Sequence, residues 1–232
     1  MKYKIFPISE NALTIDFGNV ISINFNDKVL QLADFIQQNR FEGFIELVPA
    51  YSSLTIFYDL VTVRKSFGQF PTAFSAVKTF VESSLQNLPE SRICNSRLIK
   101  IPVCYDEQFS IDLEFVAKTV KLSKEEVIKI HTSKAYRVFM IGFLPAFAYL
   151  GEIDIKISMP RKTSPRTNIE KGSVGLAGKQ TGIYPLDSPG GWQIIGKTPF
   201  GMFQPEKDKI SFLQTGDSVQ FYPISLREFS RI

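Results

Sequence analysis

Histidine occurs once in the 232 residues and cysteine only twice. The lone His131 leaves a Ser-His-Asp centre with a single candidate base, and sequence spacing places no serine beside it. Cys94 and Cys104 have neither CxxC spacing nor a histidine nearby, so no metal site or redox pair is expected and both read as reduced, partly buried thiols. GxSxG and HExxH strings are both missing. The formal charge of +4 is spread without a run of five like charges, which argues against a nucleic-acid tract and leaves small acidic ligands open. The most apolar segment, 138–150, is too short and too broken by Gly142 and Pro145 to span a bilayer. Residues 1–30 lack the basic start and apolar core of a signal peptide, since Glu10, Asp16 and Asp27 interrupt every short apolar run, so the cytoplasm is the expected location.

What remains is an ordinary globular composition, 44% hydrophobic and 22% charged, enough for one large or two modest domains. Residues 1–90 read as a small α/β domain. Strand patterns at 3–7, 12–17, 44–48 and 54–58 alternate with helical spacing at Val29, Leu32, Ala33 and Ile36, then at Phe74, Val77, Phe80, Val81 and Leu85, with Pro71 in the first turn. Two helices on one side of an antiparallel sheet is a ferredoxin-like arrangement, giving an α+β chain. Residues 91–232 form the second domain. A strand at 97–105 precedes a helix over 111–120 and a shorter one opened by a capping box, Ser123 with Glu126, that runs to about His131. Short strands separated by turn signals, at 136–141, 173–177, 182–185, 192–196 and 218–223, then suggest a closed β-barrel.

The chain is organised around 141–199, where proline, glycine, aromatic and cationic residues crowd in an order that no helix or plain strand needs. Arg161 and Arg166 flank a PRKTSPR loop whose prolines hold the backbone extended, so their guanidinium groups are pre-aimed for a carboxylate or phosphate. Solvated loop arginines, or caps of a helix elsewhere, are the plainer alternative. Lys179, Gln180 and Thr181 lie in a glycine-flanked turn whose N–H groups suit an anion, although turn chemistry alone accounts for them almost as well. Of Phe143, Phe147, Tyr149, Tyr184 and Trp192, most are expected in the core, with Tyr184 and Trp192 the exceptions because they stand beside turns. The nearest acids, Asp187 and Glu170, show no spacing for acid/base work. His131, in the last turn of its helix, suits either a charged contact with unpaired carbonyls or a place in a cleft.

The strings GFLPAFAYLG, PRKTSPR, KGSVGLAGKQTGIYP and SPGGWQIIGKTP, with ELVPAYSSL at 46–54 and IPVCY at 101–105, resemble the family called allophanate hydrolase subunit 1, or carboxyltransferase subdomains C and D. The likeness covers nearly the whole chain. It implies a cyclophilin-like barrel and a role like that of the B subunit of an ATP-dependent 5-oxoprolinase, which opens 5-oxo-L-proline to glutamate only in company. The partners implied are a C subunit resembling allophanate hydrolase subunit 2 and an A subunit resembling the LamB/YcsF proteins, with ATP at a composite site. Family members also include a Kip-type inhibitor of a sensor histidine kinase and carboxyltransferase parts of urea metabolism. A concave cationic cleft favours the hydrolase role, and a flat apolar face the inhibitor. By this resemblance Arg161, Arg166 and Lys179 bind the anion, Gln180, Thr181 and Tyr184 orient the substrate, His131 relays a proton, and Phe143, Pro145 and Trp192 shape the pocket. The chain departs from the pattern at Glu10-Asn11, Asp106-Glu107, Glu152 and Ala146, the last a methyl group where positive φ would strain it.

Overall fold

A computed structural model describes residues 2–88, 96–206 and 210–232. They gather into two compact units, Met1–Asn95 and Ser96–Ile232. The boundary placed at 90/91, like Cys94, lies outside the described residues. No helix among them is long and apolar enough to cross a membrane.

The first unit runs β1 (Lys4–Ser9), β2 (Ala12–Asp16), α1 (Ile23–Gln38), β3 (Phe44–Pro49), β4 (Ser53–Tyr58), α2 (Leu60–Ser66) and α3 (Ala73–Gln86). Its strands form one antiparallel sheet in the order β1-β2-β4-β3. Alternation sends Leu13, Ile15, Leu54, Ile56 and Tyr58 to one core with Val29, Leu32 and Ile36 of α1 and Val77 and Val81 of α3. Thr72 and Ser75 close a capping box at the start of α3, so Pro71 precedes the N-cap and is not in the first helical turn. Helix α2 escaped the sequence reading: it is short and opens with the β-branched Val61 and Thr62, and its signal was Asp59, which caps the Thr62 N–H at 2.7 Å.

The second unit comprises β5 (Leu98–Cys104), α4 (Leu113–Val120), α5 (Lys124–Thr132), β6 (Ala135–Ile141), β7 (Ala148–Gly151), a 3-10 turn (Ile155–Ile157), β8 (Arg166–Ile169), β9 (Ser173–Ala177), β10 (Gln180–Ile183), β11 (Ser188–Gly190), β12 (Gln193–Lys197), β13 (Ser218–Ile224) and α6 (Leu226–Phe229). Seven strands close a barrel in the order β10-β7-β6-β13-β5-β12-β9, while β8 and β11 pair as a separate ribbon. Strands β5 and β13 run parallel, from Ser218 against Leu98 to Ile224 against Cys104. The Ser123–Glu126 capping box opens α5 as its spacing requires. Helix α4 starts two residues later than expected because Asp112 is its N-cap, with a side chain turned away from the helix.

Two apolar clusters divide this unit. The larger one includes Val138, Leu150, Val174, Leu176, Ile183, Val219 and Phe221 of the barrel strands together with Leu113, Val116 and Val127 of the two helices. The smaller one joins Phe147, Ile169, Ala177, Tyr184, Trp192 and Ile194. The period of two separates them along one strand: Ile183 belongs to the first, and Tyr184, the next residue, to the second. Cys104 is a free thiol, fully rather than partly buried, and burial pushes its pKa up.

Candidate functional site

The smaller cluster floors a cleft of about 280 Å³ lined by Phe143, Tyr149, Arg161, Lys162, Tyr184 and Trp192, with Pro165, Pro189, Gly190 and Gly191 at its edges. Trp192, the one tryptophan of the chain, is 5% exposed. It packs edge-on to Phe147 at 5.4 Å and lies 6.0 Å from Tyr149, while Phe147 meets Tyr184 at 5.3 Å. Close backbone approach makes this packing possible. A Cβ on Gly182 would stand 3.0 Å from the Trp192 ring and 3.2 Å from that of Phe147. One on Gly190 would overlap the Tyr184 hydroxyl and lie 2.7 Å from Ile169 Cδ1. Gly190→Ala is therefore expected to lower stability by about 1–3 kcal/mol, read as a fall in Tm, and to displace Tyr184. An unchanged Tm would show that the wall yields freely.

Arg161 is exposed and has no ion-pair partner among the described residues. Its charge acts on both cleft tyrosines: burial raises the Tyr149 phenol and pushes Tyr184 up to about 12, and Arg161 opposes the rise in each. A free guanidinium beside aromatic faces and phenol hydroxyls can take a carboxylate by paired hydrogen bonds while a small ring lies against the aromatics.

Arg166 and Lys162 are already engaged. The buried Asp112 carboxylate accepts Arg166 Nη1 at 2.8 Å, Arg166 Nη2 at 2.6 Å, Lys162 Nζ at 3.1 Å and the Ile194 N–H at 2.7 Å. Burial by itself would raise the Asp112 pKa; the hydrogen bonds from Arg166, Ile194 and Lys162 outweigh it and hold the carboxyl below the ordinary range. Asp112 and Lys162 were not singled out in the sequence. The partners of Asp112 lie 50 to 82 residues away along the chain, and its only local sign was an acid before an apolar helix.

His131 does not line the cleft. It is wholly buried, stacked on Phe221 at 4.7 Å and on Tyr136 at 5.6 Å. Nδ1 lies 2.8 Å from Tyr105 Oη, and Nε2 lies 3.0 Å from Thr181 Oγ1. The Thr181 hydroxyl donates to the Gly175 carbonyl at 3.0 Å, so it accepts from Nε2–H, and the Tyr105 hydroxyl donates to Nδ1. Burial pushes the imidazole pKa down to about 3, which fixes the neutral ring and removes the charged helix-end contact as its role.

The remaining expected residues scatter. Strand β10 begins at Gln180, paired with both Gly151 and Ala177, so only Gly178 and Lys179 form the turn; Gln180 and Thr181 are in the strand. Alternation puts the Thr181 side chain with His131 in the interior. Lys179 is exposed about 17 Å from Tyr184 at the strand rise, outside the cleft lining. The turn's N–H at Gly178 is taken by the Met159 carbonyl at 2.6 Å. Pro145 is exposed beyond the cleft, in a turn where Phe143 and Ala146 have φ of 71° and 66°; Ala146 thus occupies the left-handed region that its sequence position warned of. A larger cleft of about 550 Å³, lined by Lys171, Lys197, Phe200, Phe203 and Phe229 among others, holds none of the expected site residues, and its Lys197 is paired with Glu170.

Residues 3–213 match the family described as carboxyltransferase domain, subdomain C and D. The chain is 45% identical to the 5-oxoprolinase B subunit of Bacillus subtilis over 99% of its own length and 96% of that protein's. It is 35% identical to the 5-oxoprolinase B subunit of Haemophilus influenzae, over 94% and 96%. The crystal structure of TTHA0988 superposes with a TM-score of 0.78 at 33% identity, covering 92% of this chain and 40% of that one. Four of the strings quoted from 142–199 contribute residues to the cleft lining, and with residues 3–213 matched the chain belongs to the carboxyltransferase subdomain C and D family.

Proposed function

We propose that the chain is the B subunit of a cytoplasmic, ATP-dependent 5-oxoprolinase, inactive alone, and that its share of the work is to hold 5-oxo-L-proline. The observation that carries this reading is the concave aromatic cleft with an unpaired Arg161 beside it. The lactam ring of 5-oxoproline would lie against Trp192 and Tyr149, and its carboxylate would take the Arg161 fork. Tyr184 supplies a hydroxyl for orientation, protonated at neutral pH as any phenol is. At about 280 Å³ the cleft stands at the small end of the ~300–1,000 Å³ usual for small-molecule sites, a size for a compact acid and not for a nucleotide.

ATP is accordingly placed at a composite site with the partner resembling allophanate hydrolase subunit 2, and the LamB/YcsF-like partner completes the complex. The nucleotide supplies a phosphoryl group that makes the lactam oxygen a leaving group. Lys179, exposed at the far end of β10, would offer a cation to that shared site. His131 acts from within the barrel by holding Thr181. The α1 and α3 layer on an antiparallel sheet supports a ferredoxin-like first domain, and the closed barrel a cyclophilin-like second.

Trp192 makes the reading testable without partners. Titration of 5-oxoproline should change its fluorescence saturably, and 2-pyrrolidinone, the same lactam without the carboxylate, should bind about tenfold or more weakly. Absence of a saturable response, together with failure of the chain to support 5-oxoproline-dependent ATP turnover when mixed with its two partners, would sink the proposal. Recovery of a histidine kinase in place of those partners, by pull-down from the host, would make the chain an inhibitor.

A further inference from the structure

The structure assigns to Asp112 the role of a positioning residue that sets the arginine loop over the cleft; the consequence for substrate rests on the function proposed above. One carboxylate holds both ends of the segment 162–166, taking Lys162 Nζ at 3.1 Å and the Arg166 fork at 2.6 and 2.8 Å. The same carboxylate is fixed to the barrel, since the Ile194 N–H reaches it at 2.7 Å and the Asp112 N–H returns to the Ile194 carbonyl at 2.9 Å. The backbone N–H of Lys162 then donates to the Gly191 carbonyl at 2.7 Å, next to Trp192. The Lys162 ammonium also lies 5.8 Å over the Phe115 ring of α4. The loop is thereby pinned from the start of α4, from β12 and from the residue before Trp192. Arg161, one residue outside the clamp, keeps a free side chain on a fixed backbone. Asp112 touches no ligand in this arrangement and acts through the residues it holds.

The chain contains its own control. Asp217, equally buried, accepts Arg97 Nε at 2.8 Å, Arg97 Nη2 at 2.5 Å and the Gln214 N–H at 2.7 Å, and lines no part of the cleft. Asp112→Asn and Asp217→Asn each take a buried carboxylate from an arginine fork, and both should lower Tm. Only Asp112→Asn is expected to expose Trp192, with the acrylamide quenching constant roughly doubled as the loop opens locally. Only Asp112→Asn should weaken 5-oxoproline binding by about tenfold, with KM of the reconstituted complex moving more than kcat. Lys162→Met, which leaves the Asp112–Arg166 pair intact, serves if Asp112→Asn does not fold, and should give the same pattern in smaller measure. The proposal is overturned if Trp192 stays as shielded in Asp112→Asn or Lys162→Met as in the wild type, or if Asp217→Asn exposes it equally. A wild-type chain that ignores 5-oxoproline would instead defeat the functional reading, and the quenching comparison would still decide on Asp112.

Discussion

The Arg161→Ala variant is expected to raise the KM of the reconstituted complex for 5-oxoproline by about 10- to 100-fold, with kcat little changed. A hydrogen-bonded contact with a charged group contributes about 1.5–3 kcal/mol, and each 1.4 kcal/mol is a factor of about ten in affinity. The carboxylate stands apart from the lactam carbonyl where chemistry occurs, so its anchor stabilises ground and transition states alike and shows in KM. Arg161→Lys should recover only part of the loss, because an ammonium keeps the charge and loses the fork. Steady-state ATP turnover against 5-oxoproline concentration checks both, and an unchanged KM would remove Arg161 from the site. Arg166→Ala makes a poorer probe. It would abolish turnover, but by leaving Asp112 buried beside a single ammonium, and loss of one partner of a buried pair costs about 3–5 kcal/mol of stability.

Acid should begin to destabilise this protein before its carboxylates titrate. His131 has a folded pKa pushed down to about 3 by burial, against 6.5 for the free group. The unfolded chain therefore binds a proton below pH 6.5 that the native state refuses, and stability is full above that pH and lost as pH falls toward 3. The slope approaches about 1.4 kcal/mol per pH unit, or about 3 kcal/mol by about pH 4.5, a large part of a typical ~5–15 kcal/mol total. Asp112 adds its own loss only lower, as pH falls through the carboxylate range, because its folded pKa is depressed. Urea unfolding at a series of pH values would show the slope. In His131→Gln, which keeps a donor and an acceptor but does not titrate, the profile between pH 6.5 and about 4.5 should flatten; a slope equal to that of the wild type would assign the acid sensitivity elsewhere.

The sequence was most legible where local chemistry decides. The Ser123–Glu126 box opened α5, and the alternations at 12–17, 54–58, 173–177 and 218–223 became strands, because caps and periods act over a few residues. Proline and glycine in 141–199 drew attention to the right surface, and Phe143, Arg161, Tyr184 and Trp192 meet there. Strand parity and barrel closure were not legible. Lys179 and Thr181 stand near Tyr184 in sequence, yet β10 carries the first to its far end and turns the second inward. Asp112 lies 54 residues from Arg166, so no spacing rule connects them. His131 illustrates the same limit. Its helix end was evident, but the burial that makes it neutral, and its Tyr105 and Thr181 contacts, require the closed barrel.

The parallel pairing of β5 with β13 bears on how the protein is made. These are the first and last strands of the barrel, and their seven-residue register joins Leu98–Cys104 to Ser218–Ile224. During synthesis β5 emerges long before either of its barrel neighbours, β12 and β13. Such long-range pairing meets its loop-closure entropy late and folds slowly. Until then the growing chain presents open strand edges to other nascent chains, so this unit is the one that would lean on chaperones.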